Sequence, residues 1–244
     1  MSSKQIQDVE MPFLDHLEEL RWRIIKAVIG VLIATIISFI FIDFFIENIF
    51  LLPAKASNIK LQNLRPFGQL FLYFEVALII GAVISLPNIF YQFWKFIAPA
   101  LKNNERKYIT WIVFFSTVCF FGGIVFAYFI MLPLSLKFAA GFGSTAIENN
   151  FAIDEYFSII LSVMLAAGTV FELPMMSFFL SKIGILTPKF MRKYRKHSYV
   201  AVFIIAAVLT PGTDPLSQVL LAIPLVFLYE ISILVSKIFQ KKVD

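Results

Sequence analysis

The stretch LAAGTVFELPMMSFFL, Leu165 to Leu180, holds an acid, Glu172, in an apolar run and places Pro174 two residues on. An ionised carboxylate among apolar groups needs a partner or water. Pro174 lacks an N–H, so it frees the carbonyl of Val170, four residues back. A neutral Glu172 or a water can supply the missing donor. Together the two residues predict a bent helix facing a damp protein interior. The plainer reading makes Glu172 a hydrogen-bonding link to a neighbouring helix. Glu75 and Glu230 lie nearer the ends of apolar runs, and for them the plainer reading is preferred.

Two further acids stand among bases. In FLDHLEELRWRI, residues Phe13, Leu14, Leu17, Leu20 and Ile24 share one helical stripe, while Asp15, Glu18, Glu19 and Trp22 project from the other side. Pro12 suits a helix start, and Arg21, Arg23 and Lys26 complement the dipole at the helix end. An amphipathic helix at a membrane surface follows. Its acids are unusual partners for an anionic leaflet; they fit a basic ligand or a solvated charged face. Glu105 is the single acid in the basic loop PALKNNERKY. One cysteine, Cys119, and two distant histidines, His16 and His197, offer no metal-ligand spacing and no disulfide within the chain. No Ser/His/Asp arrangement, phosphate loop or dinucleotide fingerprint is present. No catalytic residue, metal or cofactor is expected.

These groups must be positioned by membrane helices. The 244 residues are 59% hydrophobic and 15% charged, where a soluble domain is about half apolar and a quarter charged. A bilayer core of about 30 Å needs roughly 20 helical residues. Six apolar segments, at about 24–45, 70–97, 109–133, 156–181, 198–210 and 216–236, meet or approach that need. They define an all-α polytopic protein, with a cytoplasmic amphipathic segment at 1–23, a transmembrane domain at 24–236 and a tail at 237–244. The runs lack the alternation of strands. The polar, acidic N-terminus resembles neither a signal peptide nor a transit peptide. The first apolar helix is therefore expected to direct insertion, and a bacterial source is favoured over a plastid one.

Of the 21 lysines and arginines, only Lys55, Lys60, Arg65 and Lys137 fall on one side of this arrangement. The positive-inside rule places the other side, with both termini, in the cytoplasm. The net charge of +5 therefore reports topology and does not imply nucleic acid. The fifth segment is short, about 20 Å of helix, and ends at the turn TPGTDP. This hairpin is expected to stop short of the far headgroups. The alternative is a helix starting near Phe190 with snorkelling lysines.

Four stretches, in order, resemble the TatC family, the large membrane subunit of the twin-arginine protein translocase. They are HLEELRWR (His16–Arg23), FIAPALKNNERK (Phe96–Lys107), FELP (Phe171–Pro174) and LTPGTDPLSQVLLAIP (Leu209–Pro224). The resemblance spans nearly the whole chain. It implies a concave, glove-like fold of six transmembrane helices with short fifth and sixth members. It also implies protein export from the bacterial cytoplasmic membrane. Such proteins bind signal peptides carrying two adjacent arginines on folded cargo. They assemble into complexes with single-span TatA-type and TatB-type partners, and they use the proton motive force.

By this resemblance Glu19 and Glu105, with Arg21 beside them, form the arginine-recognition patch, and Phe96 and Pro99 shape its loop. Guanidinium groups pair with carboxylates through forked hydrogen bonds, so two arginines suit two acids. Glu172 matches the family's intramembrane acid, Thr210 and Gln218 its polar positions where partner helices pack, and Asp214 the acid of the last outer turn. The outer turn TPGTDP is one residue longer than the family's TPPD form. From the residues alone, a proton-coupled transporter or channel using Glu172 stands as the alternative; Pro87, Pro133, Pro174 and Pro224 interrupt the spans without the repeat such proteins show.

Overall fold

The computed structural model describes residues 13–100, 106, 109–141, 150–209 and 215–239. Helix α1 (Phe13–Ile40) runs 28 residues without interruption, about 42 Å. The amphipathic segment and the first span, expected to meet at residues 23 and 24, are thus one helix. Nothing local stops it, because the stretch contains no proline and Gly30 as its single glycine. Helix α1 packs on α4 (Gly68–Ile84) and α5 (Leu86–Ile97). A Cβ on Gly81 would stand 2.5 Å from the Thr35 backbone nitrogen, so only glycine permits that approach.

Helices α4 and α5 replace the single span expected over 70–97. They meet at Ser85 with a 54° bend. Pro87, in the first turn of α5, cannot continue the hydrogen-bond ladder of α4. Between α1 and α4 lie α2 (Ile42–Phe45), a π-helical turn (Ile46–Phe50), α3 (Leu52–Ala56) and strand β1 (Lys60–Gln62). Strand β1 pairs in parallel with β2 (Asn150–Ala152), Leu61 opposite Phe151. Among the described residues the fold is therefore helical with one two-stranded ribbon. Strands of three residues carry no readable alternation, and this pairing joins distant parts of the chain.

Helix α6 (Ile109–Phe126), a π-helical turn (Ala127–Met131) and α7 (Leu132–Gly141) form one rod of 33 residues, longer than the 109–133 span. The π turn precedes Pro133, where the regular ladder fails. Helices α8 (Ile153–Val170) and α9 (Leu173–Lys182) make a 30-residue span interrupted at Phe171 and Glu172, as Pro174 predicts. Helix α10 (Pro188–Lys193) ends at Tyr194, and α11 (Arg195–Leu209) begins anew. The 15 residues of α11 span about 22 Å, so the fifth helix is short, as expected, though it begins three residues before Ser198. Helix α12 (Pro215–Phe239) closes the bundle.

Among the described residues, four helical stretches are long and apolar enough to cross a bilayer, and the bent pair α4–α5 makes a fifth. Val76, Ala127, Leu132, Ile160, Ala206 and Ala222 are completely buried. Phe71, Phe129, Phe227 and Ile238 point outward, a burden in water but not in lipid. Within the interior, polar groups tie helices: Ser181 donates to Ser236 at 2.6 Å across α9 and α12.

The chain crosses back and forth between two ends. One, which we call the capped end, holds α2, α3 and the ribbon. The other, the basic end, holds the start of α1, the end of α5 and the segment between α9 and α11.

Candidate functional site

Glu19 lies in the second turn of α1. Its Oε1 accepts from Arg23, four residues on, through Nε at 3.0 Å and through Nη2. A Glu followed at i+4 by a base is a favoured helical pair. Its Oε2 is buried and has no hydrogen-bond partner; His16 Nδ1 is 3.9 Å away. The His16 ring stacks on Phe96 at the end of α5, with centroids 4.4 Å apart and planes 16° from parallel. Beyond Phe96, the Pro99 carbonyl accepts from Arg106 Nη2 at 3.2 Å. The fold thus brings together Glu19, Phe96, Pro99 and Arg106. Arg21 is exposed on another side of the turn, and Arg23 holds the position beside Glu19. The i, i+4 spacing that identifies Arg23 was present in the sequence. Glu105 lies outside the described residues.

A carboxylate oxygen can accept two hydrogen bonds, and a buried one left without any is costly. Glu19 therefore keeps one oxygen committed to Arg23 and one buried without a bond. A guanidinium, whose N–H groups match a carboxylate, is the strongest donor to such a group.

Glu172 occupies the interruption between α8 and α9. Ser116 on α6 stands near its carboxyl, while its Oε1 is buried without a partner. The interruption leaves the peptide N–H of Glu172 on Thr169 at 3.2 Å. Glu230 behaves as a structural acid: it accepts from Arg195 Nη2 at 2.8 Å and from the Tyr199 hydroxyl at 2.5 Å, binding α12 to α11. Glu75 lines a cavity at the capped end with Arg65 and Asp154. Gln218 donates to the Phe203 carbonyl at 3.2 Å and lines an open groove with Tyr199, Val200, Ile204 and Ala207. Thr210 and Asp214 lie outside the described residues.

A bundle of long apolar helices with lipid-suited sides defines a polytopic membrane protein. Residues 15–224 match the family model described as Sec-independent protein translocase protein (TatC). A Sec-independent protein translocase protein TatC of Carboxydothermus hydrogenoformans is 38% identical over 237 residues, 97% of each chain. One from Aquifex aeolicus is 39% identical, covering 95% of this chain and 97% of that one. The crystal structure of a twin arginine translocase receptor, TatC, superposes with a TM-score of 0.81 at 39% identity, covering 92% of this chain and 99% of the other. The chain belongs to the TatC family.

Proposed function

We propose that this protein is the receptor subunit of a twin-arginine, Sec-independent protein translocase. It binds twin-arginine signal peptides of folded proteins at the cytoplasmic face of a bacterial membrane. It spans that membrane six times, with residues 1–23 and the tail 237–244 in the cytoplasm. The observation that carries this reading is the unpartnered Oε2 of Glu19, 3.9 Å from the His16 ring that stacks on Phe96 at the basic end. Glu19 and Glu105 each take one arginine of the signal. Arg23 holds Glu19 in place, and Arg21 lies at the margin of the patch.

Glu172 offers its carboxyl to the inserted signal peptide or to a polar residue of a partner helix. The groove with Gln218 receives the single transmembrane helix of TatA-type or TatB-type partners, and Thr210 and Asp214 contribute polar contacts to the same partners. Movement of cargo draws on the proton motive force in an oligomeric complex. A small-solute transporter using Glu172 is disfavoured by the family.

The test is crosslinking from position 105 to a twin-arginine peptide and to its twin-lysine version. The expected result is a strong product with arginine and a weak one with lysine, because lysine lacks the planar fork. Equal products would reject the carboxylate patch.

A further inference from the structure

The segment between α9 and α11 carries a surface that signal recognition leaves unused. The chain turns at Gly184, whose φ of +83° suits glycine. Thr187 then caps α10 by accepting from the Phe190 N–H at 3.2 Å. Pro188 and Met191 are buried against the bundle. On the opposite side Lys189, Phe190, Arg192 and Lys193 are exposed, followed by Tyr194 and Lys196.

This face alternates bases with rings. Phe190 packs on Tyr194 at 4.7 Å between centroids, and Tyr194 lies 5.8 Å from His197. Lys193 Nζ stands 5.7 Å over the Tyr194 ring. Among the described residues no acid pairs with Lys189, Arg192, Lys193 or Lys196. The neighbouring Arg195 is different, because Glu230 neutralises it. Ile185, 72% exposed, and Phe190, 54% exposed, would be misplaced in water. The segment joins two apolar helices, so it sits where the bilayer meets water. Exposed rings between unpaired bases at that depth suit the headgroup region of an anionic membrane.

We propose that the α10 segment binds anionic phospholipid headgroups, with Lys189, Arg192, Lys193 and Lys196 on the phosphates and Ile185 and Phe190 at the acyl boundary. The neutralised Arg195 stays with the bundle and anchors the surface from behind. An acidic protein partner would use the bases but not the two apolar side chains beside them.

The test is native mass spectrometry of the full chain in micelles holding equal amounts of phosphatidylglycerol and phosphatidylcholine. The wild type is expected to retain phosphatidylglycerol in preference by about five-fold or more, the attraction one base contributes at an anionic surface. K189Q/R192Q/K193Q/K196Q is expected to lose most of that preference. K189R/K193R/K196R is expected to keep it, and so is K55Q/K60Q at the other end. Should the quadruple substitution fail to fold, the wild type titrated to about 1 M salt gives a second reading, because screening should erase the preference. Equal retention of both lipids by the wild type, or a preference that survives the four substitutions or high salt, overturns the proposal.

Discussion

The capped end and the basic end are built from similar residues and do opposite things with them. At the capped end several polar groups are spent on the protein itself, although the Ser57 hydroxyl is buried without a partner. The buried Tyr156 hydroxyl donates to the Phe50 carbonyl at 2.8 Å and accepts from the Ala54 N–H at 3.0 Å. The Tyr128 hydroxyl donates to the Ile49 carbonyl at 2.8 Å. Arg65 meets Asp154 at 3.2 Å beside the ribbon. At the basic end the buried Oε2 of Glu19 has no bond, and among the described residues Lys189, Arg192, Lys193 and Lys196 have no acid partner. A polar group that closes a loop upon itself adds rigidity. One held in place but left unsatisfied is ready for a ligand, since its binding partner meets no competing bond.

The sharpest break of this contrast is at Tyr156. Tyr156→Phe orphans the Phe50 carbonyl and the Ala54 N–H together, and is expected to cost about 3 kcal/mol of stability. The midpoint of denaturant unfolding in micelles reads this, and signal-peptide affinity of the folded fraction should stay unchanged. A loss of affinity equal to the loss of stability would erase the division between the two ends.

Glu19→Gln should do the reverse. Twin-arginine peptide binding is expected to weaken roughly 30-fold, about 2 kcal/mol, with the loss of a charge-assisted pair. Titration calorimetry measures it, and the unfolding midpoint should move less than in Tyr156→Phe. A larger effect on stability than on binding would make Glu19 a structural tie like Tyr156.

Glu172 lies between the ends and tests where the contrast stops. Export by Glu172→Gln is expected to exceed that by Glu172→Ala, with about 1 kcal/mol separating them, because an amide keeps a hydrogen-bonding group toward Ser116. Equal loss of export in the two variants would remove hydrogen bonding from its role. The smallest effect is expected from Arg65→Ala. Its side chain is 76% exposed, so removing the pair with Asp154 should change the unfolding midpoint by less than about 1 kcal/mol.

The acids of the proposed patch stand out in the sequence itself. Acids among bases at Glu19 and Glu105 are conspicuous because charge type is local information. The partner of Glu19 was also written locally, as the i+4 spacing to Arg23, whereas the family resemblance points to Arg21. The juxtaposition of His16 with Phe96 was not legible, because the stack joins residues from two different helices.

The sequence alone determined which stretches are helices suited to lipid, since a long apolar run has no other way to satisfy its backbone in a bilayer. It also determined that the helix falters near Pro174 and that the fifth helix is short. Tertiary structure alone decided the ribbon between Lys60–Gln62 and Asn150–Ala152, the tie of Tyr156 to Phe50 and Ala54, and the approach of Gly81 to Thr35. Each depends on packing between segments far apart in the chain. Apolar periodicity records how a residue meets its surroundings but not which distant residue it meets.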